Sequence, residues 1–530
     1  MSTKLDRLAE LAKEDGKRQF FSIAHLITPE ALYAAFRGLR KEASAGVDGV
    51  TCEEYEKDAA GNIRQLYQRL RDGKYQAQPL RRIYIPKEDG KQRPISIPAL
   101  EDKILQKAVA EVLNAIYEQD FLECSYGFRP GRGAQQALDE VGRVPCTRPT
   151  GWILEIDITA YFDSIVREQL MELVEKRISD GSVLQLIRKW IKVGVIEQGR
   201  LLVSETGTGQ GQTISPLLAN IYLHYVLDEW FEKVVKPRLR GEAHEIRFAD
   251  DAVLCFQYRE DAEKVKSVLA KRFARYGLTL HPEKTRLVEF GRQAIGNAKR
   301  QGKKPATFDF LGFTHISARS RRGKFTVRVR TMRKRLRRGL KAVAQWCQEH
   351  RHDPVGVQQK TLNAKLRGHY QYYGRPTNYP GIGKFYRKVR HIWRTWLSRR
   401  TRGAKMTWEK YEGLLRQLPL LHPESCIPGL RGGVRLEEPA AGNLHGGVCE
   451  GGESWEATVN LNGHETGNGG NSQGEPTASR DLLYSEVHRS DGFPMIAQKG
   501  HPSLCPIRIP WRFPHPAQHG PFRNVEAKHR

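Results

Sequence analysis

Two adjacent aspartates, Asp250 and Asp251, interrupt an otherwise apolar stretch, IRFADDAVLCF (residues 246–256). The β-favouring residues on either side predict a hairpin with the two carboxylates at its tip. A tight turn prefers Asn-Gly or Asp-Gly, and two neighbouring negative charges repel each other. Local folding therefore does not explain this pair, which raises the question of a chemical role.

A third carboxylate, Asp157, follows an apolar stretch that begins at Trp152 in GWILEIDITAYFD (residues 151–163). A phosphoryl-transfer site with two Mg²⁺ ions needs carboxylates from separate strands at one point, since Mg²⁺ prefers oxygen ligands and few protein ones. One carboxylate at a strand end is most often a solvated turn residue. The three aspartates together, on a strongly basic chain, favour the catalytic hypothesis.

The charge of the chain indicates a polyanionic partner. The 530 residues carry a net charge of +27, with an isoelectric point near 9.8. Such an excess of Lys and Arg favours nucleic acid before membrane. No run of about eighteen apolar residues occurs, and the N-terminus lacks the apolar core of a signal peptide. We therefore expect no membrane partner and a cytoplasmic location.

The eight cysteines are scattered along the chain without a Cys-x-x-Cys pair. This spacing indicates neither a zinc cluster nor a disulfide framework. The pattern is typical of a reduced, intracellular protein.

The elements that must position the carboxylates are of mixed type, which predicts an α+β fold. Residues 81–98 predict two strands joined by a turn at residues 88–90, and the apolar positions of residues 104–116 predict an amphipathic helix. Ser215 and Pro216 predict the start of another helix, because proline is tolerated in the first turn.

The C-terminal part changes character twice. From residue 318 the chain is basic, and its helical patterns mix arginine with Tyr or Trp. From residue 426 Gly, Asn, Ser and Pro dominate, which predicts a largely disordered tail. The tail's three cysteines, Cys426, Cys449 and Cys505, are too far apart to indicate an endonuclease domain.

A short arginine-rich run that contains no acid predicts RNA contact, because a merely solvated face usually mixes both charges. We expect its residues to lie away from the catalytic carboxylates; they are Arg333, Arg335, Arg337 and Arg338. Tyr370, Tyr372 and Tyr373 could stack on unpaired bases. For Trp393 and Trp396 helical spacing favours the core.

These features resemble the group II intron-encoded reverse transcriptase/maturase family. The similarity covers about residues 25–422 in eight blocks that follow the family's order. The blocks are AGVDGVT (45–51), SYGFRPGR (125–132), DITAYFD (157–163), GTGQGQTISPLLANIYL (207–223), FADD (248–251), GLTLHPEKT (277–285), FDFLGF (308–313) and LRGHYQYYG (366–374). Any one block is a weak signal, but eight in order make chance agreement very unlikely.

The resemblance implies a right-hand polymerase with fingers, palm and thumb. The fingers and palm would occupy residues 1–317, and the thumb or maturase region residues 318–380. A basic helical nucleic-acid-binding region would span residues 381–425, and the Gly-rich tail residues 426–530.

The resemblance also implies roles for single residues. Asp157, Asp250 and Asp251 match the catalytic carboxylates that hold two Mg²⁺ ions. The residues that match the nucleotide-binding set are Lys87, Arg93, Phe162, Gln210, Gly211 and Lys284. Phe162 would exclude the 2′-hydroxyl of a ribonucleotide, although ordinary core packing is equally compatible with the sequence. Gly209 departs from the family's usual proline.

The function implied by the resemblance is RNA-directed DNA synthesis. The partners would be an RNA template, above all group II intron RNA, a DNA or RNA primer, dNTPs and target DNA. One alternative is a reverse transcriptase of the same fold that acts without an intron, recruited by the host or used in defence. The other is an RNA-binding splicing factor without polymerase activity, against which the three intact aspartates argue.

Overall fold

The structure, a computed structural model, describes residues 2–86, 92–197, 200–202, 206–400 and 406–425. Lys87, the expected turn at residues 88–90 and the tail from residue 426 lie outside these ranges. Within them the chain is a mixture of helix and sheet, as the α+β expectation requires.

The helices are spread over the whole described chain. The α-helices are α1 (Ser2–Glu14), α2 (Pro29–Arg37), α3 (Cys52–Glu56), α4 (Ala59–Arg71), α5 (Leu100–Tyr117), α6 (Ala134–Thr147), α7 (Tyr161–Ser164), α8 (Arg167–Glu175), α9 (Gly181–Lys192), α10 (Ser215–Leu223), α11 (Arg259–Arg275), α12 (Arg292–Arg300), α13 (Arg333–Glu349), α14 (Val355–Tyr373), α15 (Tyr379–Leu397) and α16 (Trp408–Gln417). Two π-helical stretches, His224–Asp228 and Phe231–Val235, extend the helix that begins with α10.

The strands form three sheets. The strands are β1 (Leu80–Pro86), β2 (Gln92–Ile97), β3 (Trp152–Ile156), β4 (Val195–Glu197), β5 (Arg200–Leu202), β6 (Ala243–Phe248), β7 (Asp251–Phe256), β8 (Leu287–Glu289), β9 (Thr307–Phe310), β10 (Phe313–Arg319) and β11 (Phe325–Thr331). The first sheet has the order β2-β1-β4-β5, the central sheet β6-β7-β3-β8, and the third sheet β11-β10-β9.

The central sheet is covered on both faces. Alternate residues of a strand point to opposite faces. On β3, Leu154 and Ile156 join a cluster of apolar residues with the N-terminal helices, which we call the first core. Ile153 joins a second core, which contains the third sheet and the C-terminal helices. Elements on both sides therefore fix the position of the central sheet.

Several sequence expectations are confirmed. β1 and β2 pair as an antiparallel hairpin. The expected amphipathic helix is α5, whose apolar positions are buried. α10 begins at Ser215 with Pro216 in its first turn.

Other features bear on the predicted boundaries and partners. The predicted division between residues 317 and 318 falls inside β10, and that between 380 and 381 falls inside α15. Among the described helices, none has the length and the apolar character needed to cross a lipid bilayer. The five cysteines of the described ranges are all unbridged.

Candidate active site

A two-residue turn carries the adjacent aspartates. Phe248 pairs with Asp251 at the ends of β6 and β7, so Ala249 and Asp250 form the turn. Ala249 has a φ of +56°, which fits a tight hairpin turn because such turns need positive φ. The hairpin prediction is confirmed, with one correction: Asp251 is the first residue of β7 rather than part of the turn.

Strand register brings Asp157 to the same place. β3 lies antiparallel to β7, and Ile156 pairs with Ala252. Continuing this register by one residue sets Asp157 opposite Asp251, and opposed residues point to the same face of a sheet. The three aspartates therefore meet at one end of the central sheet.

Negative charge is crowded at this end of the sheet. Burial away from water, followed by the charge of Asp157, raises the pKa of Asp250. The surrounding protein, followed by the charges of Asp250 and Asp157, raises the pKa of Asp251 to about 7. Asp251 nevertheless keeps an exposed surface, through which a cation could reach it. Crowded carboxylate oxygens of this kind fit Mg²⁺, which prefers hard oxygen donors.

Lys284 lies against one of the three carboxylates. Its Nζ atom is 3.1 Å from Oδ2 and 3.3 Å from Oδ1 of Asp157. The adjacent backbone is tied to the same residue, because the His281 N–H donates to the Asp157 carbonyl at 2.8 Å. The Lys284 side chain is 61% exposed, so this ion pair is worth at most about 1 kcal/mol. A cation or a phosphate could therefore displace it at small cost.

A glycine-rich loop, residues 207–212, connects the first sheet to the region of the three carboxylates. The Ser96 N–H of β2 donates to the Gln210 carbonyl at 2.7 Å. Gly211 has a φ of +114°, and a Cβ atom there would lie 2.7 Å from the Ser96 carbonyl oxygen. At the other end of the loop, the Thr208 N–H donates to the Phe162 carbonyl at 3.0 Å. The loop thus joins β2 to the segment that follows Asp157.

Part of the chain is similar in sequence to known proteins. Residues 85–315 match the family described as reverse transcriptase (RNA-dependent DNA polymerase). The matched range contains all three aspartates. The chain therefore contains a reverse transcriptase domain, and it is similar in sequence to group II intron-encoded proteins.

Individual relatives differ in how much of the chain they cover. Protein YkfC of Escherichia coli is 38% identical over 249 residues, which are 46% of this chain and 64% of that protein. Group II intron-encoded protein LtrA of Lactococcus lactis is 36% identical over 222 residues, 42% of this chain and 37% of LtrA. Nuclear intron maturase 4 of Arabidopsis thaliana is 23% identical over 158 residues, 29% of this chain and 19% of that protein. The chain thus spans less than two thirds of the length of each of these relatives.

The matched reverse transcriptase domain implies the right-hand polymerase fold. Within that fold, the departure at Gly209 has a local cause. Its φ is +35°, and a Cβ atom there would lie 3.0 Å from Leu80 Cδ1. Because the proline ring fixes φ near −65°, this backbone excludes the residue that the family usually has.

The other residues that match the family's nucleotide set lie around the loop. Phe162 is half-buried in α7, with its ring 5.5 Å from that of Tyr161. Arg93 is exposed on β2, opposite Ile85. Burial raises the pKa of Asp250, and the positive charge of Arg93 partly opposes this by lowering it. Lys87 lies outside the described residues.

The four arginines do not share one face of α13. Arg333 and Arg337 are exposed and one turn apart, whereas Arg335 and Arg338 are partly buried. The Arg335 stem packs at the β9–β10 turn, 3.9 Å from a Cβ placed on Gly312, and its charge acts on Asp251. Arg335 is therefore close enough to Asp251 for its charge to act on that carboxylate.

The aromatic residues of the C-terminal helices are mainly structural. Tyr370 and Tyr373 are buried, so the hypothesis that they stack on bases is wrong. The Tyr372 hydroxyl donates to the Leu311 carbonyl at 3.0 Å. Trp393 is fully buried and Trp396 packs against the second core, which confirms the core prediction for both.

Sequence reasoning missed the buried residues that support the turn carrying Asp250. They form a buried network around Arg247 and comprise Ser125, Asn220 and Asp228. The available signal was a pair of charges, Glu245 and Arg247, inside an otherwise apolar strand. Charged residues are almost never fully buried unless they are paired, so such a strand predicts a partner elsewhere in the chain.

Proposed function

We propose that this protein is an RNA-directed DNA polymerase that extends a primer 3′-OH with dNTPs. The observation that carries the proposal is the register that opposes Asp157 to Asp251 beside the turn carrying Asp250. The match of residues 85–315 to the reverse transcriptase family supports it.

The three aspartates would hold two Mg²⁺ ions. When bound, the ions would supply a lowered pKa for the attacking hydroxyl and charge stabilisation at the leaving oxygen. The carboxylates hold the site's negative charge in one place. Their mutual repulsion, which adds to burial in raising the pKa values of Asp250 and Asp251, favours the binding of cations. Lys284 would exchange its contact with Asp157 for the triphosphate.

The nucleotide would lie between the first sheet and the carboxylates. Arg93 and Lys87 would bind the triphosphate, since a guanidinium and an ammonium both suit phosphate oxygens. Gln210 and Gly211 would line the nucleotide through a loop whose backbone is fixed to Ser96. The Phe162 ring would exclude a 2′-hydroxyl. Each of these roles is testable one residue at a time.

The proposed domains follow from the same assignment. The first and central sheets, within residues 1–317, would form the fingers and palm, and residues 318–380 the thumb or maturase region. Residues 381–425 would add a basic helical surface for nucleic acid. The template and primer would bind along these surfaces, and the site of action would be the cytoplasm.

A basic surface favours a second activity. This activity is the binding of group II intron RNA as a maturase, for splicing and for mobility at target DNA. The side chains of Arg328, Arg330, Arg333 and Arg337 are exposed at the junction of β11 and α13. Lys and Arg on such a surface neutralise phosphates irrespective of sequence. The alternative, a reverse transcriptase of the same fold that acts without an intron, would lack specific affinity for intron RNA.

Primer extension tests the polymerase proposal. The wild-type protein should extend an oligonucleotide annealed to RNA when Mg²⁺ and dNTPs are present. Asp250→Asn should abolish extension but leave RNA affinity nearly unchanged, because phosphate contacts lie elsewhere. Asp72→Asn, a change of an exposed aspartate after α4, serves as the matched control. Wild-type rates in Asp250→Asn, or a wild-type protein inactive on RNA templates, would contradict the proposal.

A further inference from the structure

All five N–H groups of the Arg247 guanidinium have acceptors inside the protein. Nε and Nη2 donate to the two oxygens of Asp228 at 2.6 and 2.5 Å, and Nη2 also donates to Ser125 Oγ at 2.8 Å. Nη1 donates to Asn220 Oδ1 at 3.1 Å and to the Ala249 carbonyl at 2.9 Å. Arginine has five donors in a fixed plane, so this set of contacts fixes the group in one orientation.

The contact with Ala249 links this network to the aspartate turn. Ala249 immediately precedes Asp250 and has the positive φ that the turn requires. A non-glycine residue in that region is uncommon and stays there only when its surroundings hold it. Arg247 therefore stabilises the backbone conformation from which the Asp250 side chain projects.

Asp228 reaches Arg247 because its helix changes pitch. Asn220 lies in α10, and Asp228 ends the π-helical stretch that continues it. In a regular α-helix, residues eight apart are rotated by about 80° from one another. The wider turns of a π-helix reduce the rotation per residue, so both side chains can face one guanidinium. Single π-helical turns are frequent at functional sites.

The other side of the turn is held by the segment around Gly127. The Asn220 amide donates to the Gly127 carbonyl at 2.6 Å, and a Cβ atom on Gly127 would lie 2.3 Å from the Ala249 nitrogen. The Arg247 backbone also bonds to this segment, donating to Cys124 at 2.8 Å and accepting from Tyr126 at 2.9 Å. The turn thus lies between Gly127 and the Arg247 guanidinium.

The ion pair is entirely enclosed. Arg247 and Asp228 are both 0% exposed, although burial of a charge is costly unless it is paired and hydrogen-bonded. Glu245, also buried, lies beside Asp228, and its oxygens have no hydrogen-bond donor among the described residues. Its neutral form suits this position, because Arg247 then faces the single negative charge of Asp228.

We propose that Arg247 is a positioning residue for the proposed metal-binding turn. Asp228, Asn220 and Ser125 fix the orientation of its guanidinium. The guanidinium in turn holds the Ala249 carbonyl and thereby determines the position of the Asp250 carboxylate. The inference rests on the proposed polymerase function, since it concerns the placement of a metal-binding carboxylate. Lysine at this position keeps the charge but cannot reproduce five planar donors. Arg247→Lys should therefore displace the turn.

Arg177 provides a matched control for simple loss of a buried arginine. It is 1% exposed, pairs with Asp120 at 2.9 Å, and donates to the carbonyls of Ala12, Asp15 and Arg18. It shares no partner with the aspartate turn. Arg177→Lys should lower the melting temperature as Arg247→Lys does, without affecting metal affinity.

The test measures Mn²⁺ binding to the full chain by electron paramagnetic resonance without substrate, alongside thermal unfolding. Arg247→Lys should weaken Mn²⁺ binding by about 10- to 100-fold, the range found when a residue supporting a metal ligand is removed. The Mg²⁺ concentration for half-maximal primer extension should rise likewise. Equal Mn²⁺ affinity in Arg247→Lys and Arg177→Lys, with wild-type extension intact, would overturn the inference but leave the polymerase proposal standing.

A second variant keeps the test independent of folding. Asn220→Ala removes the contacts to Arg247 and Gly127 but keeps the Arg247–Asp228 ion pair. It should weaken Mn²⁺ binding in the same direction and lower the melting temperature by less than Arg247→Lys does, since the buried ion pair remains. Unchanged Mn²⁺ affinity in folded Asn220→Ala would also overturn the inference. A wild-type protein that binds Mn²⁺ but extends no primer would contradict the polymerase proposal instead.

Discussion

The Lys284 ammonium group lies 3.1 Å from Asp157 Oδ2, so a protein cation lies against a carboxylate of the proposed metal-binding set. Lys284 and a bound ion would then compete for the same oxygens. Removing the lysine leaves the three carboxylates with more uncompensated negative charge. Tighter metal binding follows from this relationship, even though the nucleotide loses a cationic partner.

Lys284→Met should therefore strengthen Mn²⁺ binding without nucleotide by up to about fivefold, equivalent to about 1 kcal/mol for an exposed ion pair. It should also raise the KM for dNTPs. Lys264→Met, a change of an exposed lysine on α11, is the control. Weaker Mn²⁺ binding than in the control would mean that Lys284 supports the metal site rather than competing for it.

Phe162→Ala should let ribonucleotides compete with deoxynucleotides, because the proposed barrier is the bulk of the ring. The ratio of kcat/KM for a dNTP to that for the matching rNTP should fall by about tenfold or more, as pocket exclusion of one small group allows. Phe325→Ala, a change of another half-buried ring on β11, controls for the loss of packing. If the two variants discriminate sugars equally well, Phe162 is a core residue and the selection lies elsewhere.

Arg333 and Arg337 are the arginines to replace when the RNA surface is tested, because Arg335 acts on Asp251. In the double serine variant the slope of log affinity against log salt should flatten by about 0.7–0.9 for each phosphate that the protein no longer neutralises. Extension of a short primer-template at low salt should persist. Lys264→Ser with Lys271→Ser on α11 removes the same charge elsewhere. An unchanged slope in a cooperatively folded Arg333/Arg337 variant would identify a merely solvated face.

Glu245 predicts how stability changes with pH. Burial, followed by the charge of Asp228, raises the pKa of Glu245 well above its ordinary value, so the folded state favours the protonated acid. Its stability contribution is complete below the unfolded pKa near 4.5 and is lost as pH rises towards the folded pKa. Glu245→Gln removes this titration, so the variant should lose less stability than the wild type between pH 5 and pH 8.

The measurement is the melting temperature at several pH values, where one titrating group changes stability by about 1.4 kcal/mol per pH unit. Glu263→Gln, at an exposed glutamate that pairs with Arg259, should leave the wild-type pH dependence unchanged. The same pH slope in Glu245→Gln as in the wild type would mean that Glu245 is ionised in the folded protein.

The sequence predicts the hairpin with the two aspartates well because its signals are local. Two apolar strands flank a polar turn within eleven residues, and Asp157 directly follows a strand of its own. The Arg247 network is different in kind, since its partners lie 19, 27 and 122 residues away along the chain. The π-helical stretch that aligns Asn220 with Asp228 has no periodic pattern in the sequence. The turn needs glycine at position 127 because Gly127 packs against Ala249, and only the folded structure shows that contact. The individual nucleotide roles came from family resemblance, not from pattern.

The second core joins parts of the chain that the proposed functions would separate. It contains Ile153 and Val253 of the central sheet, Phe313 of the third sheet, and Val343 and Trp393 of the C-terminal helices. Apolar surface returned to water costs about 25 cal/mol per Å², so the catalytic sheet and the basic helices should melt together in one cooperative transition. A substitution that makes a cavity anywhere in this core should therefore reduce both DNA synthesis and RNA binding, because it destabilises the fold that both need. Only substitutions at the surface can separate the two proposed activities.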